Sequence, residues 1–363
     1  MAIQQTVVEV NLKNLKNNLN FLRSKLNPNT QIMGVVKAFS YGADSFIIAK
    51  ELEKQKIDYF AVAYTSEGVV LRKQGIVAPI LVLHPQTNDF NTIIDFKLEP
   101  SIYSFRILKA FVSCSKFNKN YPFQIKFNTG LNRLGFHENE IDNLIDQLKG
   151  LIPTYIFSHL GASDDKNEKA FSNDQIKKFS LLVEKFQNKI GSTIKRHLLN
   201  TSGILNFSES QYEMVRTGIG LYGFGNDPKY KKNFIPVISL KTVISQIHKI
   251  SKGDSVGYNK GFIAEKHMTI ATLPIGHADG ISRQYGNGNG SVMVKGKLAP
   301  IIGNVCMDMM MINISKIECK EGDSVILFDD KNISAEDFTK SVNTIPYEIL
   351  ASLSKRIKRV VIT

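Results

Sequence analysis

The stretch VVKAFSYGAD, residues 35–44, runs through small apolar residues to a lysine, Lys37, with Tyr41 and a glycine close behind. An amine at the end of a buried strand either snorkels to water or stands as a nucleophile over a reaction centre. Other apolar runs also end in polar groups. Arg133 lies in KFNTGLNRLGF, His159 in SHLGASDD, Asn200 and Thr201 in HLLNTSG, and Arg216 in MVRTGIGLYG. Each alone fits a solvated strand end. A lysine, two arginines, a histidine and hydroxyls gathered in one place instead suit a phosphorylated, anionic cofactor beside a nucleophilic amine.

Gathering them requires a particular order of elements. Leu12, Leu15, Leu19, Leu22 and Leu26 are spaced by threes and fours, the mark of an amphipathic helix. Eight short apolar runs follow over about two hundred residues: IMGVVK, YFAVAY, PILVL, LEPSIYS, FQIKFNT, TYIFSHL, RHLLNTS and MVRTGIGLYG. Helical patterns such as DSFIIAKELEKQ and NDQIKKFSLLVEKFQNKI separate them. Continuous apolar strands alternating with helices predict a parallel sheet covered on both faces. Eight such units predict an α/β fold, a (β/α)8 TIM barrel, with the polar strand ends at one mouth; a doubly wound open sheet is the alternative. Past GFGNDPKYKKNFIP the helical period fades, and β-rich runs such as MTIATLPIG, GSVMVKGKLAPIIG and DSVILF take over. The expected division is a barrel over residues 1–233 and a mostly-β C-terminal domain over 234–363, with the first strand free to join the β domain. YGNGNGSVMVKG reads as a turn between strands, since no helix follows it to cradle a phosphate.

Bulk composition narrows the setting. The chain has 363 residues, 43% hydrophobic and 22% charged, the balance of a globular protein. No apolar run approaches the ~18 residues of a membrane span, and the start lacks the basic and apolar regions of a secretory signal. Three cysteines without CxxC spacing disfavour disulfides and a metal site, and they fit a reducing, cytoplasmic location. The net charge of +13 is spread along the chain rather than clustered with aromatics, so nucleic acid is not the expected partner.

The motifs resemble those of the alanine racemases, and they do so in family order along essentially the whole chain: VVKAFSYGAD, KFNTGLNRLGF, SHLGASDD, HLLNTSG, MVRTGIGLYG, VGYNKGF, PIGHADG and IIGNVCMDMMMI. The resemblance implies pyridoxal 5'-phosphate as cofactor, bound as a Schiff base to Lys37, whose amine then serves as base on one face of the substrate. It implies Tyr258, in DSVGYNKGF, as the acid/base of the opposite face, contributed by a partner subunit, so that a homodimer shares its active sites. A free phenol titrates near ~10, and the likeness offers His159 and nearby arginines to help it. Arg216 is implied against the pyridine nitrogen, to which it can donate a hydrogen bond but hardly a proton. Tyr41, Asn200, Thr201 and the backbone of Gly218 and Ile219 would serve the cofactor and its phosphate. Arg133, Met307 and Asp308 would serve the substrate, and Lys126 matches a lysine that some members carry as a carbamate.

The implied activity is interconversion of L- and D-alanine by two bases, supplying D-alanine for peptidoglycan. A racemase of broader specificity, taking serine or lysine, and a related barrel decarboxylase are alternatives, the latter opposed by Arg216. Three positions depart from the family pattern. His277 replaces a tyrosine in the PIG.ADG motif, Lys355 stands where some members have a phosphate-touching tyrosine, and Asn132 replaces a turn glycine.

Overall fold

The computed structural model describes residues 5–114, 116–225 and 227–362. Strand β1, Val7–Asn11, runs straight into helix α1, Leu12–Arg23. The side chain of Asn11 caps that helix by accepting from the Asn14 N–H at 3.0 Å. Leu15, Leu19 and Leu22 form its buried face, as the spacing of threes and fours predicts. Asn18 interrupts that face for a reason. Its amide donates to the carbonyls of Leu221 and Ile235 and accepts from the Ile235 N–H, which ties the segment leaving the barrel onto α1.

Eight parallel strands then close a barrel: β2 (Gln31–Val35), β3 (Tyr59–Val62), β4 (Ile80–Val82), β5 (Glu99–Ile102), β6 (Gln124–Lys126), β7 (Tyr155–Phe157), β8 (Lys195–His197) and β9 (Met214–Thr217). All eight correspond to the apolar runs read from the sequence. The closing pair sets Met33 of β2 against Arg216 of β9, and the closure rules out the open doubly wound sheet. Met33, Ala61, Leu81, Tyr155, Phe157 and Met214 pack together inside. Glu99, Gln124 and His197 are buried on the remaining strands β5, β6 and β8, so the interior is not wholly apolar.

The second region is a nine-stranded sheet in which β1 lies between Ile238–Val243, antiparallel, and Lys358–Ile362, parallel. The first strand of the chain thus belongs to the sheet of the β domain, while the helix that follows it packs on the barrel. Two short helices, Ala335–Lys340 and Pro346–Ser352, interrupt the β pattern. At about two turns each, neither shows enough of the 3.6-residue period to be read from sequence.

The joint between the two regions bears on the site. Residues 37–41 form a tight turn after β2, closed by Gly42 at φ 80°. Arg359, near the C-terminus, donates to the Gly42 carbonyl from Nε at 3.0 Å and from an Nη at 2.9 Å. A Cβ at Gly42 would lie 2.1 Å from the Leu350 carbonyl oxygen. Gly42→Ala is therefore expected to lower stability by at least about 2 kcal/mol, since steric conflict adds to the positive φ. Gly75→Ala, also at positive φ but facing open space, should cost about 1 kcal/mol; denaturant midpoints of the two variants check the difference.

Candidate active site

Lys37 leaves the end of β2 just after Val36, whose N–H donates to the Ala61 carbonyl at 2.9 Å. The next four residues, Ala38, Phe39, Ser40 and Tyr41, all have φ between 51° and 54°. A left-handed turn of side-chain-bearing residues costs about 1–2 kcal/mol per residue, so the surroundings must impose it. Glu67 does so from one side: its Oε1 accepts from the Ala38 N–H at 2.7 Å and its Oε2 from the Ala63 N–H at 2.7 Å. Arg359 holds the other end through Gly42. Asp44 then caps the next helix, Ser45–Lys54, accepting from Phe46 and Ile47. The turn fixes where the Lys37 amine and the Tyr41 hydroxyl can point.

Both lie in a cavity of about 770 Å3 at the carboxyl mouth of the barrel. The same cavity is lined by Lys126, Arg133, His159, Asn200, Thr201, Arg216, Gly218 and Ile219. Every barrel residue singled out from sequence thus reaches one place. Among the described residues its charged lining is mostly cationic, Lys37, Lys126, Arg133 and Arg216 against the single acid Asp164. Burial, with the charge of Arg133 next, pulls the Lys37 amine below the usual lysine range, partly opposed by Glu67. Lys126 is drawn down to about 7 by burial and by the charges of Arg133, Arg216 and Lys37. Such a concentration of positive charge suits an anionic ligand.

Arg216 is buried and brought down to about 9 by that burial and by Arg133, which leaves it cationic at neutral pH. It donates from one Nη to the Ser158 carbonyl at 2.7 Å, the Leu198 carbonyl at 2.8 Å and Nδ1 of His159 at 3.1 Å. Its other Nη donates to Nδ1 of His197. Because a guanidinium never accepts, Nδ1 of His159 must carry the lone pair. Burial and then Arg216 push His159 well below its ordinary pKa, so the ring is neutral and holds its proton on Nε2. Phe157 makes the floor: His197 stacks on it at 4.7 Å between ring centres, and Arg216 lies over it at 5.5 Å.

Another part of the lining carries hydroxyls and a glycine. A Cβ at Gly218 would come within 2.3 Å of the Tyr41 hydroxyl, and one at Gly220 within 2.5 Å of the Thr201 side chain. The glycines thus leave a cradle faced by two hydroxyls and open backbone. Thr201 Oγ1 is 3.1 Å from Thr217 Oγ1 and accepts from the Gly220 N–H at 3.3 Å. Asn200 caps the short helix Thr201–Asn206 by accepting from Gly203 at 2.9 Å, and also accepts from the Ser163 hydroxyl at 2.8 Å. An amine of lowered proton affinity, a cationic cluster and a cradle bordered by glycines together fit the pyridoxal phosphate implied by the motifs.

Tyr258, Met307 and Asp308 are not in that cavity. They line a separate groove of about 700 Å3 on the β domain. Tyr258 is 71% exposed and Met307 59%, while Asp308 accepts from Arg356 at 2.6 Å. The same arginine pairs with Asp279 at 2.7 Å, so the PIGHADG and VCMDM motifs share one cation. Of the three departures, Asn132 adopts φ 55° and is held by Asn128, a turn that asparagine tolerates. His277 is exposed, its N–H donating to the Cys306 carbonyl. Lys355 does not line the cavity; its ammonium sits 4.9 Å from the centre of the Phe39 ring. Tyr347 lines the cavity instead, with its ring 6.1 Å from that of Tyr41.

Sequence reasoning missed Tyr347, Glu67 and the buried polar residues beneath Arg216. Glu67 looks like an ordinary acid in the first turn of a helix, and Tyr347 lies in a helix too short to be read. Gln124 and His197 did leave a signal, as polar side chains inside apolar central strands.

A parallel barrel with its polar groups at the carboxyl mouth and a lysine over the opening defines a barrel enzyme. Its affiliation is shown by the match of residues 10–226 to the alanine racemase N-terminal domain and of residues 237–361 to the alanine racemase C-terminal domain. The chain belongs to the alanine racemase family, a family of isomerases. Alanine racemase 2 of Caldanaerobacter subterraneus subsp. tengcongensis is 33% identical to it, covering 99% of this chain and 95% of the relative. Alanine racemase from Clostridium difficile superposes with a TM-score of 0.92 at 32% identity, covering 100% of this chain and 96% of that one. The crystal structure of alanine racemase from Bartonella henselae with covalently bound pyridoxal phosphate gives 0.89 at 28% identity, covering 99% of each chain.

The depressed Lys126 makes a stability prediction. Between its folded value of about 7 and its ordinary value of 10.5, the unfolded chain binds more protons than the folded one. Stability should therefore rise with pH across that window. Lys126→Met should flatten this rise, as read by denaturant midpoints of the cofactor-free protein from pH 6 to 10.

Proposed function

We propose that the protein interconverts L- and D-alanine with pyridoxal 5'-phosphate as cofactor, as a homodimer in which each barrel mouth is completed by Tyr258 from the partner chain. The observation that carries the reading is the Lys37 amine, its proton affinity lowered by burial and by Arg133, in a cationic cavity that Tyr41, Thr201 and Gly218 also line. When bound, the cofactor supplies an aldehyde for an amine to join and a conjugated ring that draws electrons from the substrate α-carbon.

The chain's own groups do the rest. Lys37 Nζ joins the cofactor and, once displaced, takes or returns the α-proton on its face. A second group must act on the opposite face, because returning the proton to the same side regenerates the starting enantiomer. The Tyr258 hydroxyl has that duty, and the Nε2–H of neutral His159 is a donor suited to stabilising its phenolate. Arg216, a donor with no proton to lend, leaves the ring nitrogen unprotonated, which disfavours side reactions such as transamination. Tyr41, Asn200, Thr201 and the backbone of Gly218 and Ile219 hold the phosphate end, and Arg133 meets the substrate carboxylate. Met307 and Asp308 of the partner close the substrate end. A carbamate formed by carbon dioxide on the near-neutral Lys126 amine would place a negative charge among Arg133, Arg216 and Lys37 and orient Arg133.

Dimerisation is supported by the groove that holds Tyr258. Tyr258, Met307 and Met309, the last at 48% exposure, form an apolar face on the β domain of the kind that marks an interface. The reading places the enzyme in the cytoplasm, feeding D-alanine to peptidoglycan synthesis.

Purified protein should lose optical rotation of L-alanine and of D-alanine at comparable rates, and more readily than of serine or lysine. Lys37→Ala should abolish the cofactor's visible absorbance. Mixing the inactive Lys37→Ala and Tyr258→Phe proteins under conditions of subunit exchange should restore about a quarter of wild-type activity. Half of the dimers are then mixed, and each has one intact shared site. Sites contained within single chains would give no recovery.

A further inference from the structure

Below Arg216 a line of buried polar side chains crosses the barrel interior, and no step of the reaction touches it. Arg216 of β9 donates to Nδ1 of His197 on β8. The His197 Nε2 is 2.8 Å from Gln124 Oε1 on β6. Gln124 Nε2 is 3.0 Å from Glu99 Oε2 on β5. The Tyr59 hydroxyl on β3 is 3.0 Å from Glu99 Oε1. Gln124 and His197 have no exposure, Arg216 has 4% and Glu99 8%.

One arrangement of protons satisfies the whole line. The guanidinium has no acceptor, so the His197 Nδ1 must offer a lone pair. Burial and the Arg216 charge keep the His197 ring neutral, which leaves its one proton on Nε2. That proton is donated to Gln124 Oε1, so the Gln124 amide nitrogen faces Glu99. A carboxylate cannot donate, and it accepts from both Gln124 and Tyr59. The donor-only cation above His197 thus fixes the polarity of each bond down to Glu99, whose carboxyl is pushed up by burial and held down by the hydrogen bonds from Gln124 and Tyr59 and by the charge of Arg72. Buried polar groups are expensive when unpaired, and here each one is paired in a single sense. Reversing His197 would set two N–H donors against each other.

We propose that Glu99 and Gln124 are positioning residues for Arg216: acting through the His197 Nε2–H, they hold that ring, and with it the guanidinium, in its orientation at the cavity floor. The consequence for catalysis rests on the function proposed above. The tautomer of His197 does not.

The test uses the full-length protein labelled with 15N-histidine, with the His197 signals assigned from their loss in His197→Gln. In cofactor-free wild type, Nε2 should be protonated and Nδ1 unprotonated across neutral pH. Gln124→Leu, or Gln124→Met should the first variant fail to fold, should displace the His197 Nε2 signals, since that N–H loses its acceptor while Arg216 keeps the lone pair on Nδ1. Glu99→Gln, which keeps the shape and removes the anchoring charge, should produce a smaller displacement in the same direction. Tyr59→Phe removes a bond to the same carboxylate without cutting the line, and it should leave the His197 signals as in wild type. In the pyridoxal-phosphate-loaded enzyme, the Gln124 variants should lose about tenfold in kcat for alanine with KM changed less than about twofold. That is the scale of one hydrogen bond to a charged group. Unchanged His197 signals in every Gln124 and Glu99 variant overturn the proposal. Displaced signals with unchanged kcat overturn its bearing on Arg216. A wild type that does not racemise alanine sinks the proposed function and leaves the tautomer result to stand or fall by itself.

Discussion

Like-charge crowding at the barrel mouth is the constraint to which the rest of the structure answers. Lys37, Lys126, Arg133 and Arg216 line one cavity, and water is too scarce there to screen them fully. Repulsion and desolvation act in the same direction on an amine, since both penalise its protonated form. Both lysines and Arg216 respond by losing proton affinity, and Arg216, which starts from a higher value, stays charged at neutral pH. One electrostatic field thereby yields a nucleophilic amine and a fixed cation a few residue layers apart.

Such a field requires a rigid frame, because charges that could separate would do so. Hydrogen bonds to backbone supply most of it. The Arg216 guanidinium donates to two carbonyls and two imidazoles, and the carboxylate of Glu67 accepts from N–H groups on two segments. Glu67 on one side and Arg359 on the other hold the left-handed turn after Lys37 in a conformation that its own residues disfavour. Arg359 extends the frame across the joint to the C-terminal region. The β domain therefore does more than carry Tyr258: it clasps the turn on which the lysine stands.

The polar line under Arg216 is the inward half of the same frame. Apolar side chains in the middle of a barrel would support a guanidinium sterically but would not satisfy its N–H groups or balance its charge. His197 on the Phe157 ring, with Gln124 and Glu99 behind it, does both. In an interior of low dielectric such a chain has one proton arrangement of low energy, which makes it a device for orientation rather than for proton transfer.

Much of this was legible without coordinates. The eight apolar runs and their helical separators gave the barrel, because strand and helix periods are local properties of the chain. The polar residues that close those runs gave the cavity, because barrel topology carries every strand end to one mouth. Lys37, Arg133, His159, Thr201 and Arg216 were found by that rule. Glu67, Tyr347 and the Glu99–Gln124–His197 line were not, since their importance lies in contacts between residues distant in sequence, His197 and Gln124 being 73 positions apart and Tyr347 and Tyr41 much farther, which no periodicity encodes. The left-handed turn was equally hidden, because Ala38, Phe39 and Ser40 have no intrinsic preference for it. The separate placement of Tyr258 likewise follows only from how the β domain folds. Sequence by itself determined the order of elements and the kinds of chemical group at their ends. Tertiary structure decided the charge states and the directions of those groups, because burial, neighbouring charge and long-range hydrogen bonds come into being only when the chain is closed on itself.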